Sequence, residues 1–333
     1  MVSDLDIYKQ NQINILKNNY NLSVSRLNSL LANNIKNIKI LRLSNAVKQK
    51  QINNLITQHN NNLNNLKTIL NNSITKIQNF VPNPVIINNK KNALLVGINY
   101  IGTNNELNGC INDANCIKDR ITKNGFNNIV TLTDNTTLKP TKQNILNAFK
   151  NLLSNSVAGD LLFFFYSGHG SYTLDKNNDE TTGYDQMIVP LDLNFIIDDE
   201  LKTIIQTYLK PNVTLFAMFD SCFSGSVLDL KYQYMDSLNY DKFMENDKEL
   251  ETPGNVFMIS GCTDYQTSSD AVFNGKPNGA LTWSFFESIN KNPNSTWREL
   301  LKLMRDNLKL SGYDQVPQFS SGTFENIDTP VFV

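Results

Sequence analysis

The sequence predicts an α/β body with a mostly parallel central sheet and helices on both faces, preceded by an α-helical N-terminal arm. Three observations predict it. Beyond residue 91, short apolar runs alternate with helical segments, the pattern of a sheet built from crossover units. All 15 glycines lie beyond Val96 and the first proline is Pro82, so turn chemistry begins where the arm ends. Residues 1–90 carry 23 Asn with 11 basic and two acidic side chains, whereas residues 91–333 carry 19 basic and 29 acidic ones.

Within the arm, Ile52, Ile56, His59, Leu63, Leu66, Leu70, Ile74 and Ile77 recur at steps of three and four, a heptad-like stripe on one helix face. Val24, Leu27, Leu31, Ile35, Ile38 and Leu41 form a less regular series before it, with a break near Ser44-Asn45. Two helices forming a hairpin or short coiled coil are expected, open to a coiled-coil partner, with their positive charge facing an acidic partner or the acidic body. Pro82-Asn83-Pro84 closes the arm, which divides the chain into a basic helical region, 1–90, and a body, 91–333.

In the body, Ala93–Ile98, Ile129–Leu132, Leu161–Tyr166, Val213–Phe219 and Val256–Ser260 read as buried strands. Asn112–Lys123, Lys142–Leu153, Asp199–Leu209 and Leu281–Asn290 carry helical periodicity. In such sheets a site forms at the carboxyl ends of the strands.

Composition narrows the function classes. A chain with 40% hydrophobic and 18% charged residues builds a core, and a net charge of -1 argues against a dedicated nucleic-acid binder. The four cysteines show no CxxC spacing, and the sequence has no apolar leader and no 18-residue apolar run. An intracellular, most simply cytoplasmic, protein with reduced thiols and no membrane contact is expected.

Two strand ends carry the chemistry. His169, in Ser167-Gly168-His169-Gly170, follows the run LLFFFY, and its flanking glycines free the imidazole; the other histidine, His59, falls in the arm. Cys222, in Asp220-Ser221-Cys222-Phe223-Ser224-Gly225, follows VTLFAMF, where backbone N–H groups can bind an oxyanion. The two lie one crossover unit apart, so adjacent parallel strands would join a thiol to an imidazole, the pair needed for acyl transfer. Cys116 reads as an inert buried thiol. Asp220 stands two residues before the thiol, and no Arg occurs between residues 121 and 297, which favours a pocket for a cationic side chain.

YSGHG at 166–170, DSCFSG at 220–225, and Gly109-Cys110-Ile111-Asn112-Asp113-Ala114 after VGINY resemble a metacaspase of the caspase–haemoglobinase clan, most like its type I arrangement. SGCTDYQTSSDA at 260–271 and GALT at 279–282 extend the resemblance, which covers about 92–333. It implies a caspase-like fold, with a large-subunit part at 91–230, a linker at 231–253 and a small-subunit part at 254–333. It also implies a cysteine endopeptidase working through a His169–Cys222 dyad, with Gly170 and Cys222 as oxyanion donors. Cleavage would follow Arg or Lys bound by Asp113 and Asp220, supported by Cys110 and Ser167. Calcium would be held by Asp185, Asp198, Asp199 and Asp229, with no organic cofactor, and the catalytic domain would be monomeric. Asp175–Asp179 begins like an EF-hand loop, but Glu180 and Gln186 occupy its sixth and twelfth positions, so it is not one. With a basic preference, Lys90, Lys91, Lys231, Lys242 and Lys248 become candidate self-processing sites. The alternatives are a non-catalytic scaffold that recruits partners through its arm, and a clan enzyme specific for Asp.

Overall fold

The structure is a computed structural model that describes residues 4–41, 43–79, 90–174, 184–222, 224–234, 244–246, 250–261, 270–273, 276–323, 327 and 330–332. The chain divides into two compact units, Met1–Pro84 and Val85–Val333.

The first unit is a helical hairpin of α1 (Asp4–Ile40) and α2 (Asn45–Asn79). Lys9 Nζ donates to the Gln78 carbonyl at the open end, and Lys48 Nζ to the Lys39 carbonyl at the closed end, so the helices run antiparallel. Along α2 from Ile52 onward the half-buried positions are Ile52, Leu55, His59, Leu63, Leu66, Leu70 and Ile74 among the described side chains. Leu55, not Ile56, takes the second place in the seam: Leu55 is half-buried, whereas Ile56 is exposed. The side chain of Ile77 lies outside the described residues.

In the second unit the elements run, in order, β1 (Lys91–Gly97), α3 (Cys110–Lys123), β2 (Asn128–Thr133), α4 (Lys142–Ser154), β3 (Leu161–Ser167), β4 (Gly170–Leu174), β5 (Tyr184–Ile188) and β6 (Ile196–Ile197). There follow α5 (Asp198–Tyr208), β7 (Thr214–Asp220), β8 (Tyr232–Tyr234), β9 (Met244–Glu245), β10 (Asn255–Ser260), β11 (Asp270–Phe273), β12 (Lys276–Gly279), α6 (Ala280–Lys291), α7 (Trp297–Leu310) and β13 (Gln318–Ser321). The main sheet has the order β2-β1-β3-β7-β10-β13-β8-β9; its first five strands are parallel, and β13, β8 and β9 extend it antiparallel. Thus β8 and β9, within the stretch expected as a linker, are built into the sheet. Two small sheets stand apart, β4-β5-β6 and β11-β12.

Each central strand is apolar on both faces because both faces are covered. Leu162, Phe164 and Tyr166 of β3 pack with Ile145 and Phe149 of α4 and Leu201 and Ile205 of α5. The alternate residues Phe163 and Phe165 pack with Ala114, Ile117 and Ile121 of α3 and with residues of α6 and α7. Phe163 and Trp297 both lie against Phe216, with ring centroids 5.0 and 5.1 Å away. α7 starts at a capping box in which Thr296 Oγ1 accepts from Glu299 N and Thr296 N donates to Glu299 Oε2. The sheet therefore carries its loops on a rigid two-sided core, and the five parallel strands deliver their exits to one edge.

Candidate active site

β3 and β7 are parallel neighbours whose last paired residues are Ser167 and Asp220. The segments that follow them, Gly168-His169-Gly170 and Ser221-Cys222, therefore emerge side by side. The approach is close: a Cβ on Gly170 would lie 2.0 Å from the Cys222 carbonyl oxygen, so no larger residue fits there. The structure thus brings His169 and Cys222 to adjoining backbone positions, both half-buried.

The backbone of His169 is clamped between two tyrosines. Its N–H donates to the Tyr100 hydroxyl at 2.9 Å, and its carbonyl accepts from the Tyr166 hydroxyl at 2.7 Å and from Val189 N at 3.1 Å. The Tyr100 hydroxyl donates onward to the Val189 carbonyl at 2.6 Å, and the Tyr100 ring lies 4.7 Å from the imidazole, centroid to centroid. Tyr100 reaches this position from a left-handed backbone (φ 53°), which costs a bulky residue roughly 1–2 kcal/mol. Burial pushes both phenols above their ordinary range, so both stay protonated donors at neutral pH.

The imidazole itself has a fixed partner. His169 Nε2 lies 2.8 Å from the Asn105 carbonyl, which can only accept, so Nε2 carries the hydrogen and Nδ1 is the nitrogen able to take a proton. The partner of the imidazole is therefore a backbone carbonyl, which has no residue-type signature in the sequence.

Two buried acids are brought together by five elements, α3, β3, β7, β12 and α6. Asp113, in the first turn of α3, is fully buried; its Oδ2 accepts from Ser167 Oγ at 2.8 Å, and both its oxygens lie within reach of Gly279 N, at 3.1 and 3.0 Å. Asp220, at the end of β7, directs Oδ2 at the start of α6, where Thr282 N and Thr282 Oγ1 both donate at 2.8 Å. A Cβ on Gly279 would come within 2.1 Å of that same Asp220 oxygen, so the two carboxylates face one glycine from two sides. Asn112 Nδ2 also donates to the Pro277 carbonyl at 3.0 Å, tying α3 to β12. Cys110 is buried at the head of α3 beside Asp113. Gly279 and Thr282 are hydrogen-bond partners of these acids that the sequence reading missed, although both fall in the GALT motif. A hydroxyl in the first turn of a helix facing a strand-end acid was the available signal.

Asp185 lies on β5, Asp198 and Asp199 open α5, and Asp229 follows β7 with a positive φ of 46°. Asp185, Asp198 and Asp229 are buried. Asp198 accepts from the backbone N–H groups of Gln186 and Asp199, and Asp229 lies 3.9 Å from Lys202 of α5. Asp198 and Asp229 are thus linked to neighbouring segments through α5, while among the described residues no three His, Cys, Asp or Glu side chains are grouped so as to hold a metal ion. Carboxylate oxygens are the donor type that fits calcium.

Of the candidate processing lysines, Lys242 and Lys248 lie outside the described residues. The carbonyls after which the others would be cut are all engaged: Lys90 O with Leu161 N, Lys91 O with Asn127 N, and Lys231 O with Asn246 N.

Residues 91–231 match the family model "Metacaspase, peptidase C14 domain". The chain is similar to Metacaspase-1 of Candida albicans, 38% identical over 291 residues, which are 70% of this chain and 65% of that protein. It is equally similar to Metacaspase-1A of Aspergillus terreus, 38% identical over 283 residues, which are 69% of this chain and 70% of that one. Among solved structures, the Geobacter sulfurreducens protein GSU0716 aligns with 71% of this chain and 95% of its own, at 26% identity and a TM-score of 0.54. A thiol and an imidazole at neighbouring strand ends, the matching family model, and a relative at 38% identity covered over 70% of its length place this chain in the metacaspase family of cysteine peptidases.

Proposed function

We propose that this chain hydrolyses peptide bonds on the carboxyl side of Arg or Lys, with Cys222 as nucleophile and His169 as its acid–base partner, under the control of calcium. The observation that carries this reading is the convergence of the Asp113 and Asp220 carboxylates on Gly279, with Asp220 two residues before the thiol in one strand exit. A desolvated carboxylate pair favours a guanidinium or ammonium and repels an acidic side chain, which argues against Asp specificity.

His169 Nδ1 takes the thiol proton, and the sulfur attacks the carbonyl carbon. The Gly170 and Cys222 N–H groups stabilise the resulting oxyanion. As the C–N bond breaks, the imidazolium returns its proton to the leaving amine, while Nε2–H stays on the Asn105 carbonyl and holds the ring. The same nitrogen, Nδ1, then deprotonates the water that hydrolyses the thioester, releasing the new carboxylate and restoring the thiol.

Asp185, Asp198, Asp199 and Asp229 would hold calcium, whose charge would offset the repulsion between buried carboxylates drawn around it. By firming the loop that follows β7, those residues act on the nucleophile's surroundings and not on the substrate.

Fluorogenic peptides ending in Arg, Lys or Asp, assayed with calcium and with chelator, test the reading. Turnover of the Arg and Lys peptides alone, lost on chelation and in Cys222→Ala, is the expected result. Turnover of the Asp peptide would reverse the pocket assignment, and no turnover of any would favour the scaffold. Calorimetry gives a readout independent of activity: calcium binds the wild type and binds Asp198→Asn at least tenfold more weakly.

A further inference from the structure

The closed end of the helical hairpin is apolar and bare. Ile40, Leu41, Leu43 and Val47 are 76%, 47%, 41% and 44% exposed, and they stand outside the seam between α1 and α2. The turn that presents them is held in shape. Lys48 Nζ caps the Lys39 carbonyl at 2.9 Å, Ser44 Oγ accepts from Val47 N at 3.4 Å, and Leu43 N donates to the Leu41 carbonyl at 3.0 Å. Around this tip the charge has one sign. Lys36, Lys39, Lys48 and Lys50 lie within two helical turns of it, and residues 7–105 contain no Asp or Glu.

We propose that this tip docks on the surface of a bilayer rich in anionic lipid, with the four aliphatic side chains entering below the headgroups and the lysines meeting the phosphates above them. The dimensions agree. Lys36 and Lys50 stand five or six residues up the rods, about 8–9 Å along the axis, and interfacial apolar groups bury about 5–10 Å deep. The tip would therefore sit at the acyl boundary while the ammonium groups remain at headgroup level. Neither half suffices alone: a short apolar contact anchors weakly, and lysines alone hold only by an attraction that salt screens. A nucleic acid would use the lysines and leave the four aliphatic side chains in water. No helix among the described residues is long and apolar enough to cross a membrane, so the contact is peripheral.

Co-sedimentation of the full chain with phosphatidylcholine vesicles, with and without about 30 mol% phosphatidylserine to resemble an anionic leaflet, tests this. Binding only to the anionic vesicles is expected. Replacing Ile40, Leu41, Leu43 and Val47 together by Ser should weaken binding at least tenfold, and Lys36, Lys39 and Lys50 together by Gln about a hundredfold, at roughly fivefold per lysine. Circular dichroism identifies a variant that has lost its helices. A Leu41→Trp chain supplies the second readout, because both native tryptophans lie in the other unit. The emission of the introduced indole should shift to the blue and be quenched by brominated lipid. The proposal is overturned by absence of vesicle binding, by binding that leaves this emission unchanged, or by duplex DNA binding as tight as vesicle binding and indifferent to the Ser substitutions.

Discussion

The Tyr100 hydroxyl accepts the backbone N–H of His169 at 2.9 Å while its ring lies 4.7 Å from the imidazole. One side chain thus fixes both the height and the tilt of His169, the proposed base. Tyr100→Phe keeps the ring and removes the hydroxyl that also donates to Val189. It should lower kcat about tenfold and leave KM unchanged, because a misplaced base costs the bond-making step and not substrate capture. Initial rates across substrate concentration decide this; a raised KM with kcat intact would make Tyr100 a binding residue instead.

The two pocket acids should be separable by charge and shape. Asp113→Asn and Asp220→Asn each keep the hydrogen-bonding outline and lose a charge, so kcat/KM for Arg peptides should fall by about 10²–10³, that is ~3–4 kcal/mol. Gly279→Ala places a methyl against Asp220 and should lower the same ratio even though no charge is lost. If both Asn variants cleave Arg peptides at the wild-type rate, the pocket lies elsewhere.

Self-processing, if it occurs, should spare the engaged lysines. A peptidase needs an extended, accessible segment, and Lys90, Lys91 and Lys231 have their carbonyls tied into sheet or loop contacts. New N-termini after incubation with calcium should therefore begin after Lys242 or Lys248. Sequencing an N-terminus at residue 91, 92 or 232 in the folded protein would contradict this.

Alkaline pH should unfold this protein through its active site. Tyr100 and Tyr166 ionise far above their ordinary value of 10.0, chiefly because burial disfavours the phenolate. A raised folded-state value means the folded form holds the proton more tightly, so their contribution is complete below pH ~10 and is lost as pH rises above it. Thermal melts should show Tm steady from pH 7 to 9 and falling beyond ~10, with a smaller fall in the Tyr166→Phe protein.

The parallel half of the sheet is legible in the sequence because strands buried on both faces must be apolar throughout. LLFFFY and VTLFAMF announce themselves, and their exits lead to His169 and Cys222. What the sequence hides is of another kind. β8, β9 and β13 are two to four residues long, and two of them sit in a polar stretch, so neither length nor periodicity marks them. The β4-β5-β6 sheet exposes Tyr172, Leu174 and Tyr184 and has no apolar run. The amphipathic α7 carries its signal in Trp297, Leu300, Leu301, Met304 and Leu308, yet it falls outside the helices expected from periodicity. Asn105 contributes a carbonyl, which every residue has. Tyr100 and Tyr166 look like strand-end aromatics in the sequence, whereas their hydroxyls are the working part.

The pocket straddles the stretch at 231–253: Asp113, Ser167 and Asp220 come before it, and Gly279 and Thr282 after it. β7 and β10 also pair across it over six residues. A chain severed at Lys242 or Lys248 would therefore part into two pieces that stay clasped as one body, migrating separately only once denatured. Nicking would then act as a covalent memory of activation that leaves the molecule's size in solution unchanged.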